Sequence, residues 1–148
     1  MSSVTISTII SFATKFEEDS SRLYSKLAEL SVEKKDVLMS FAKESIENSL
    51  FVTRTYRETV SDALETSFSF EGLDLNDYIV ETTLKNNIDY AEALRTAINV
   101  EEKAINFYLE ASKRSKSLLS TIPRALTVVA ERRSRRKLKL ESLLSQTD

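Results

Sequence analysis

Apolar residues recur at helical spacing along nearly the whole chain, with polar and charged residues between them. The first such stretch, residues 5–30, carries the seam Ile9, Phe16, Leu23 and Leu30, with Ala13 and Leu27 beside it. Ser31 followed by Glu33 reads as a cap opening a second helix, which the pattern carries to residue 65. Its inner face is Leu38, Phe41, Ala42, Ser45, Val52 and Tyr56. Residues 66–77 hold the only glycine, Gly72, and read as a connection that ends in a short helical piece reaching residue 83. A third helix is expected over residues 88–115, with Ala91, Leu94, Ile98, Ile105 and Tyr108 inward. Pro123, preceded by Ser120 and Thr121, suits a first helical turn, and a fourth helix runs from there to residue 145.

Four helices of this length predict an all-α bundle, a single domain over residues 1–148. Two of the joints are short and the middle one is long. A long middle connection can cross the bundle and leave the second and third helices parallel. One Gly and one Pro leave little material for tight turns, which argues against a sheet. A net charge of −2 gives no general pull toward nucleic acid or an anionic membrane. No apolar run approaches the roughly 20 residues of a membrane span. Residues 1–11 lack the basic start of a secretory signal, so the chain is expected to be cytoplasmic. Cysteine and histidine are both absent. Thiolate catalysis, zinc-thiolate sites and the commonest general base go with them, and any metal site has to be all-oxygen.

Shifting the chain by 84 residues lays the first helix on the third. Glu17 then meets Glu101, Glu18 meets Glu102, and Tyr24 meets Tyr108. A shift of 88 lays the second helix on the fourth and pairs Ser45 with Arg133 and Asn48 with Arg136. Any two amphipathic helices slide into partial agreement, so the repeat becomes informative only through the residues that break the apolar stripes. Ile122, Val129, Arg136 and Leu143 are spaced by seven, as are Leu126, Arg133 and Leu140, so both arginines interrupt the inward seam. Glu17 and Glu101 interrupt the corresponding rows of the first and third helices. Ser45 and Asn48 are small polar residues on the inner side of the second. Every helix thus turns polar groups inward near mid-length, where a charge without a partner costs several kcal/mol.

Residues 93–108, with Val100-Glu101-Glu102 and Phe107-Tyr108, resemble the third helix of rubrerythrin-type proteins of the ferritin-like superfamily. Phe16-Glu17-Glu18 with Leu23-Tyr24 and Leu27-Ala28 resembles their first helix, and the shared motif is Glu-x6-Tyr in two copies. The resemblance implies a ferritin-like four-helix bundle with a long crossover between helices two and three. In that family two helices each supply one Glu and the other two each supply Glu-x-x-His to a di-iron centre. Carried across, Glu17 and Glu101 stand at the single-glutamate positions. Ser45-Ile46-Glu47-Asn48 and Arg133-Ser134-Arg135-Arg136 stand where the Glu-x-x-His motifs belong. Guanidinium forks bond carboxylates at two points each, so two arginines and two glutamates make a neutral cluster in the space the metals hold in the relatives.

The expectation is therefore a metal-free, cofactor-free ferritin-like protein of structural or protein-interaction role. Its salt-bridge cluster comprises Glu17, Ser45, Asn48, Glu101, Arg133 and Arg136, with Tyr24 and Tyr108 resting their hydroxyls on it. The alternative is a metal-binding oxidoreductase or iron-handling protein with an atypical, displaced site. Catalysis is the weaker reading, because the carboxylates have permanent cations beside them and no histidine. A homodimer through a helix face is expected, as ferritin-like relatives often associate. Nucleic acid and membrane are not expected as partners: in the basic run of residues 132–137 the spacing turns Arg133 and Arg136 inward and leaves Arg132, Arg135 and Lys139 on the outer surface. Glu44 and Glu47 are expected to face water.

Overall fold

The computed structural model describes residues 4–118 and 120–147; the expected domain over 1–148 also includes residues 1–3, 119 and 148, which lie outside it. The regular structure of the described residues is all helical, with no strand among them. Helix α1 spans Ile6–Ala28, α2 Lys35–Thr59, α3 Asp62–Ser67, α4 Tyr90–Arg114 and α5 Thr121–Ser145, with a 3-10 turn at Leu75–Tyr78. Among the described residues no helix is long and apolar enough to cross a membrane.

The helix starts follow local chemistry. Thr5 accepts from the Thr8 amide at 3.2 Å, and Asp89 accepts from the Glu92 amide at 2.8 Å, each satisfying a donor that the first turn leaves free. The proline of α5 sits within the first turn, and its carbonyl accepts the Ser112 hydroxyl at 2.8 Å. The opening of α2 differs from expectation. Its first turn begins at Lys35, and Lys34 caps it without a side-chain bond, while Ser31 accepts only the Lys34 amide at 3.3 Å.

The second helix also ends earlier than its pattern suggests. Val60 is extended, and Ser61 caps a separate α3 by accepting from the Leu64 amide at 3.1 Å. Glu65 anchors that short helix to the start of α1, accepting the Ser7 amide at 3.0 Å, the Ser7 hydroxyl at 2.8 Å and the Tyr56 hydroxyl at 2.9 Å. A continuous helix would carry Glu65 away from these donors. The short helical piece expected before residue 83 ends at Tyr78, and residues 79–85 take no regular structure.

Helix α1 packs on α2 and α4 packs on α5; α2 also lies against α5 and α1 against α4. Between the pairs, the Phe70 amide donates to the Val4 carbonyl at 2.8 Å and Lys103 donates to the Asp77 carbonyl at 3.0 Å. Gly72 adopts φ +76, with the Arg114 guanidinium 2.8 Å from where a Cβ would stand. Any side chain there meets both the left-handed backbone and that cation.

Ile9, Ala13, Leu23, Leu27, Leu38, Leu94, Ala97, Phe107, Leu126, Val129 and Leu140 form the core. Each fully buried Leu or Phe contributes about 1.5–3 kcal/mol relative to exposure. Some positions expected inside lie elsewhere. Leu30 is 40% exposed, because α1 stops at Ala28 and the heptad extrapolates past the end of the helix. Phe41, Tyr56, Ala91, Ile98 and Ile105 are half-buried, and Ala93, Val100, Ala104 and Ala111 line the inner face of α4 instead.

Candidate functional site

Every long helix breaks its apolar stripe at the same level. The interruptions meet in one buried cluster. Glu17 and Ser20 come from α1, Glu44, Ser45 and Asn48 from α2, Glu101 from α4, and Arg133 and Arg136 from α5. Glu17, Glu101 and Arg133 are completely buried and Arg136 is 1% exposed, so no solvent screens these charges.

Arg133 is the hub. Its Nε donates to Glu17 Oε2 at 2.9 Å, its Nη1 to both carboxylate oxygens of Glu101 at 2.9 Å, and its Nη2 to the Ser20 hydroxyl at 2.8 Å. Arg136 lies one turn further on. Its Nη1 donates to Ser45 Oγ at 3.0 Å and to Glu101 Oε2 at 3.3 Å, and its Nη2 to Glu44 Oε1 at 2.6 Å. The Arg136 guanidinium also lies over the rings of Tyr24 and Phe41, 5.1 and 5.6 Å from their centroids. Its Nε is buried without a protein partner.

The remaining lone pairs of the carboxylates are satisfied crosswise. Tyr24 on α1 donates to Glu101 Oε2 on α4, and Tyr108 on α4 donates to Glu17 Oε2 on α1 at 2.6 Å. Asn48 donates to Glu17 Oε1 at 3.2 Å. These bonds respect the pairing of Glu17 with Glu101 and Tyr24 with Tyr108 read from the sequence. The second and fourth helices break it. Two small side chains, Ser45 and Asn48, lie opposite two large ones, Arg133 and Arg136, so the guanidinium groups extend into the volume the small residues leave.

The electrostatics follow from this packing. Burial pushes the Glu101 carboxyl up, but Arg133, Arg136 and the Tyr24 hydroxyl outweigh it and hold the group below the usual carboxylate range. Burial, then the neighbouring Glu101, drives the Tyr24 phenol well above its ordinary value. Burial and Glu17 do the same to Tyr108. For Arg133, burial opposes the charge, yet Glu101 and Glu17 raise its proton affinity well above the ordinary value.

Three participants were not foreseen from the sequence. Glu44, expected to face water, is drawn in by Arg136, whose long side chain reaches across the α2–α5 contact. Arg132, expected on the outer surface, is half-buried, donates to Asn48 Oδ1 at 2.9 Å and lies 5.3 Å from the Phe51 ring centroid. Ser20 carries no charge, and its only sequence signal is a polar residue three positions after Glu17 on the same helix face. Arg135 and Lys139 are exposed as expected.

The donor set does not fit a di-metal centre. Both oxygens of Glu101 are bonded to guanidinium N–H groups, and the other positions that the sequence resemblance assigns to ligands carry Ser45, Asn48, Arg133 and Arg136, of which the two arginines are cations. Among the described residues no three Asp, Glu, His or Cys side chains gather where a cation could be held. An open cavity of about 820 Å³ lies between α1 and residues 78–84, lined by Phe12, Phe16, Leu23, Tyr78, Val80 and Leu84 among others. Phe16 is the side chain that touches both this cavity and Arg133, whose guanidinium carbon is 5.4 Å from its ring centroid. Comparison with protein-family models, with curated proteins and with solved structures gives no match.

Proposed function

We propose that this chain is a metal-free, ferritin-like protein of rubrerythrin type, whose role is structural or protein-interacting. In it an internal Glu/Arg cluster stands where its relatives hold iron. The carrying observation is that Arg133, completely buried, bonds both Glu17 and Glu101, the two residues at the family's single-glutamate positions. The guanidinium lies between the carboxylates and uses the lone pairs that a metal would need. The crossover expected between the second and third long helices belongs to the same proposal. It is supported by the path of residues 60–89, from the Val4–Phe70 bond at the start of α1, past Lys103 on α4, to residues 78–84 alongside α1.

Such a cluster leaves no carboxylate free: Glu101 is held below the usual carboxylate range, and Glu17, Glu44 and Glu101 are each bonded to a permanent guanidinium cation. Its effect is to set helix register: only one axial and rotational arrangement of α1, α2, α4 and α5 satisfies all of these bonds. Elemental analysis of the purified protein tests the reading. It should contain no stoichiometric iron, manganese or zinc; about two metals per chain, the loading of a di-iron site, would sink it.

A further inference from the structure

Residues 78–84 run alongside α1 and leave the open cavity of about 820 Å³ between them. Exposure alternates along this segment: Tyr78, Val80, Thr82 and Leu84 are half-buried, while Ile79, Glu81 and Thr83 are exposed. That period of two belongs to an extended chain. The segment starts level with Phe12, because the Tyr78 ring lies 5.8 Å from that of Phe107, which lies 4.9 Å from that of Phe12. It ends toward Lys26, since α1 and α4 are antiparallel (Tyr24 bonds Glu101 and Tyr108 bonds Glu17) and α4 begins at Tyr90. Extended backbone from Tyr78 to Leu84 covers about 20 Å at ~3.3 Å per residue. Helix from Phe12 to Lys26 covers about 21 Å at ~1.5 Å per residue. The two walls match in length, so the cavity is a long cleft.

The floor and the rim of this cleft differ in kind. Phe12, Phe16 and Leu23 line it from α1, with Val80 and Leu84 on the other wall. Lys15, Arg22 and Lys26, spaced by seven and four, form a basic row on the α1 rim. Two carboxylates also line the cleft, and both are engaged. Asp19 is bonded by Lys15 at 2.9 Å and by Arg22, and Glu81 accepts the Thr83 amide at 2.9 Å. Lys26 makes no ion pair among the described residues. We propose that the cleft binds one long-chain fatty acid, its carboxylate on Lys26 and its alkyl tail laid along Phe16 and Phe12 toward Tyr78. An elongated apolar body suits the length of the cleft, and a single anionic head suits three cations set against two carboxylates. A cationic amphiphile meets Lys26 instead, and a compact anion leaves the apolar walls in water. The inference uses no hydrogen bond or ion pair of the buried Glu/Arg cluster, so it stands or falls apart from the metal-free reading.

Equilibrium dialysis of the full chain against radiolabelled palmitate, below the concentration at which the fatty acid aggregates, tests it. A single palmitate should be retained per chain. Laurate and octanoate should bind more weakly, by up to about fourfold for each CH2 removed. Lys26→Glu, a change at an exposed position, should weaken palmitate about tenfold. The uncharged methyl ester should bind more weakly than palmitate and should not distinguish Lys26→Glu from wild type. Leu84→Asp should abolish binding of both, whereas Leu138→Asp, on the exposed surface of α5, should change neither. Circular dichroism checks that each variant is folded, and Val80→Asp replaces Leu84→Asp if that one does not fold. No retained palmitate, equal binding of acid and ester, or indifference to Leu84→Asp overturns the proposal. So does binding of the chain to phosphatidylglycerol vesicles without uptake of monomeric palmitate, which would make this face a membrane contact.

Discussion

Tyr108 on α4 donates its hydroxyl to Glu17 on α1 at 2.6 Å, while Tyr24 on α1 donates to Glu101 on α4 in the opposite sense. Each tyrosine serves the glutamate of the other helix, and the two bonds tie α1 to α4 through the middle of the core. Tyr108→Phe removes one donor from a buried carboxylate and leaves its ring in place. The expected loss is about 1–3 kcal/mol, because the acceptor is charged and no water replaces the hydroxyl. Urea melts of wild type and variant read it as a lower midpoint with unchanged slope.

Arg133→Ala should be costlier. Glu17 and Glu101 would both keep their burial and lose their shared cation, at about 3–5 kcal/mol. Arg133→Lys should recover little of this, since one ammonium cannot bond Glu17, both oxygens of Glu101 and Ser20 together. If either variant unfolds at the wild-type denaturant midpoint, the cluster does not hold the helices as described.

Stability should fall at both ends of the pH scale. Glu101 has a folded-state value below that of the unfolded chain, so its contribution is present above about pH 4.3 and is lost as pH drops through the folded value. Tyr24 and Tyr108 lie well above the ordinary phenol value, so the unfolded chain releases these protons first and stability declines as pH rises beyond about 10. Tyrosinate absorbance should therefore reach its full value only as the protein unfolds. A double variant, Tyr24→Phe with Tyr108→Phe, should show a smaller late phase, since Tyr56, Tyr78 and Tyr90 are raised by burial as well.

Rebuilding a metal site tests the proposed lineage. Ser45→Glu, Asn48→His, Arg133→Glu and Arg136→His together supply the Glu and Glu-x-x-His set around Glu17 and Glu101. Without metal the core then holds repelling carboxylates, so the melting temperature should drop. Added ferrous iron should raise it again, because a ligand bound only by the folded state stabilises that state. A folded variant that takes up no iron would show that α2 and α5 do not stand as such helices do in rubrerythrin-type di-iron proteins.

Detaching α3 gives a local test of the tertiary anchor. Glu65→Ala removes the acceptor for the Ser7 amide, the Ser7 hydroxyl and the Tyr56 hydroxyl. Amide exchange should speed up in residues 62–67 and at the start of α1, while the protection of α4 and α5 stays unchanged.

The helical type, the four long helices, and the inward aim of Glu17, Glu101, Arg133 and Arg136 were legible in the chain. They depend on periodicity within one helix, and a residue on the apolar stripe must turn inward wherever the neighbours stand. The break at Val60 had a local signal in Ser61 and Asp62, a capping residue with an acid in the first turn. It was outweighed by the apolar period running through it, and what decides it is the long-range grip of Ser7 and Tyr56 on Glu65. Only tertiary structure decided the recruitment of Glu44 and Arg132. Both lie at the edge of their helix faces, where periodicity assigns them to solvent. A long flexible side chain at such an edge goes wherever the neighbouring helix offers a partner, and that depends on how α2 and α5 are set against each other, which no spacing along a single chain records.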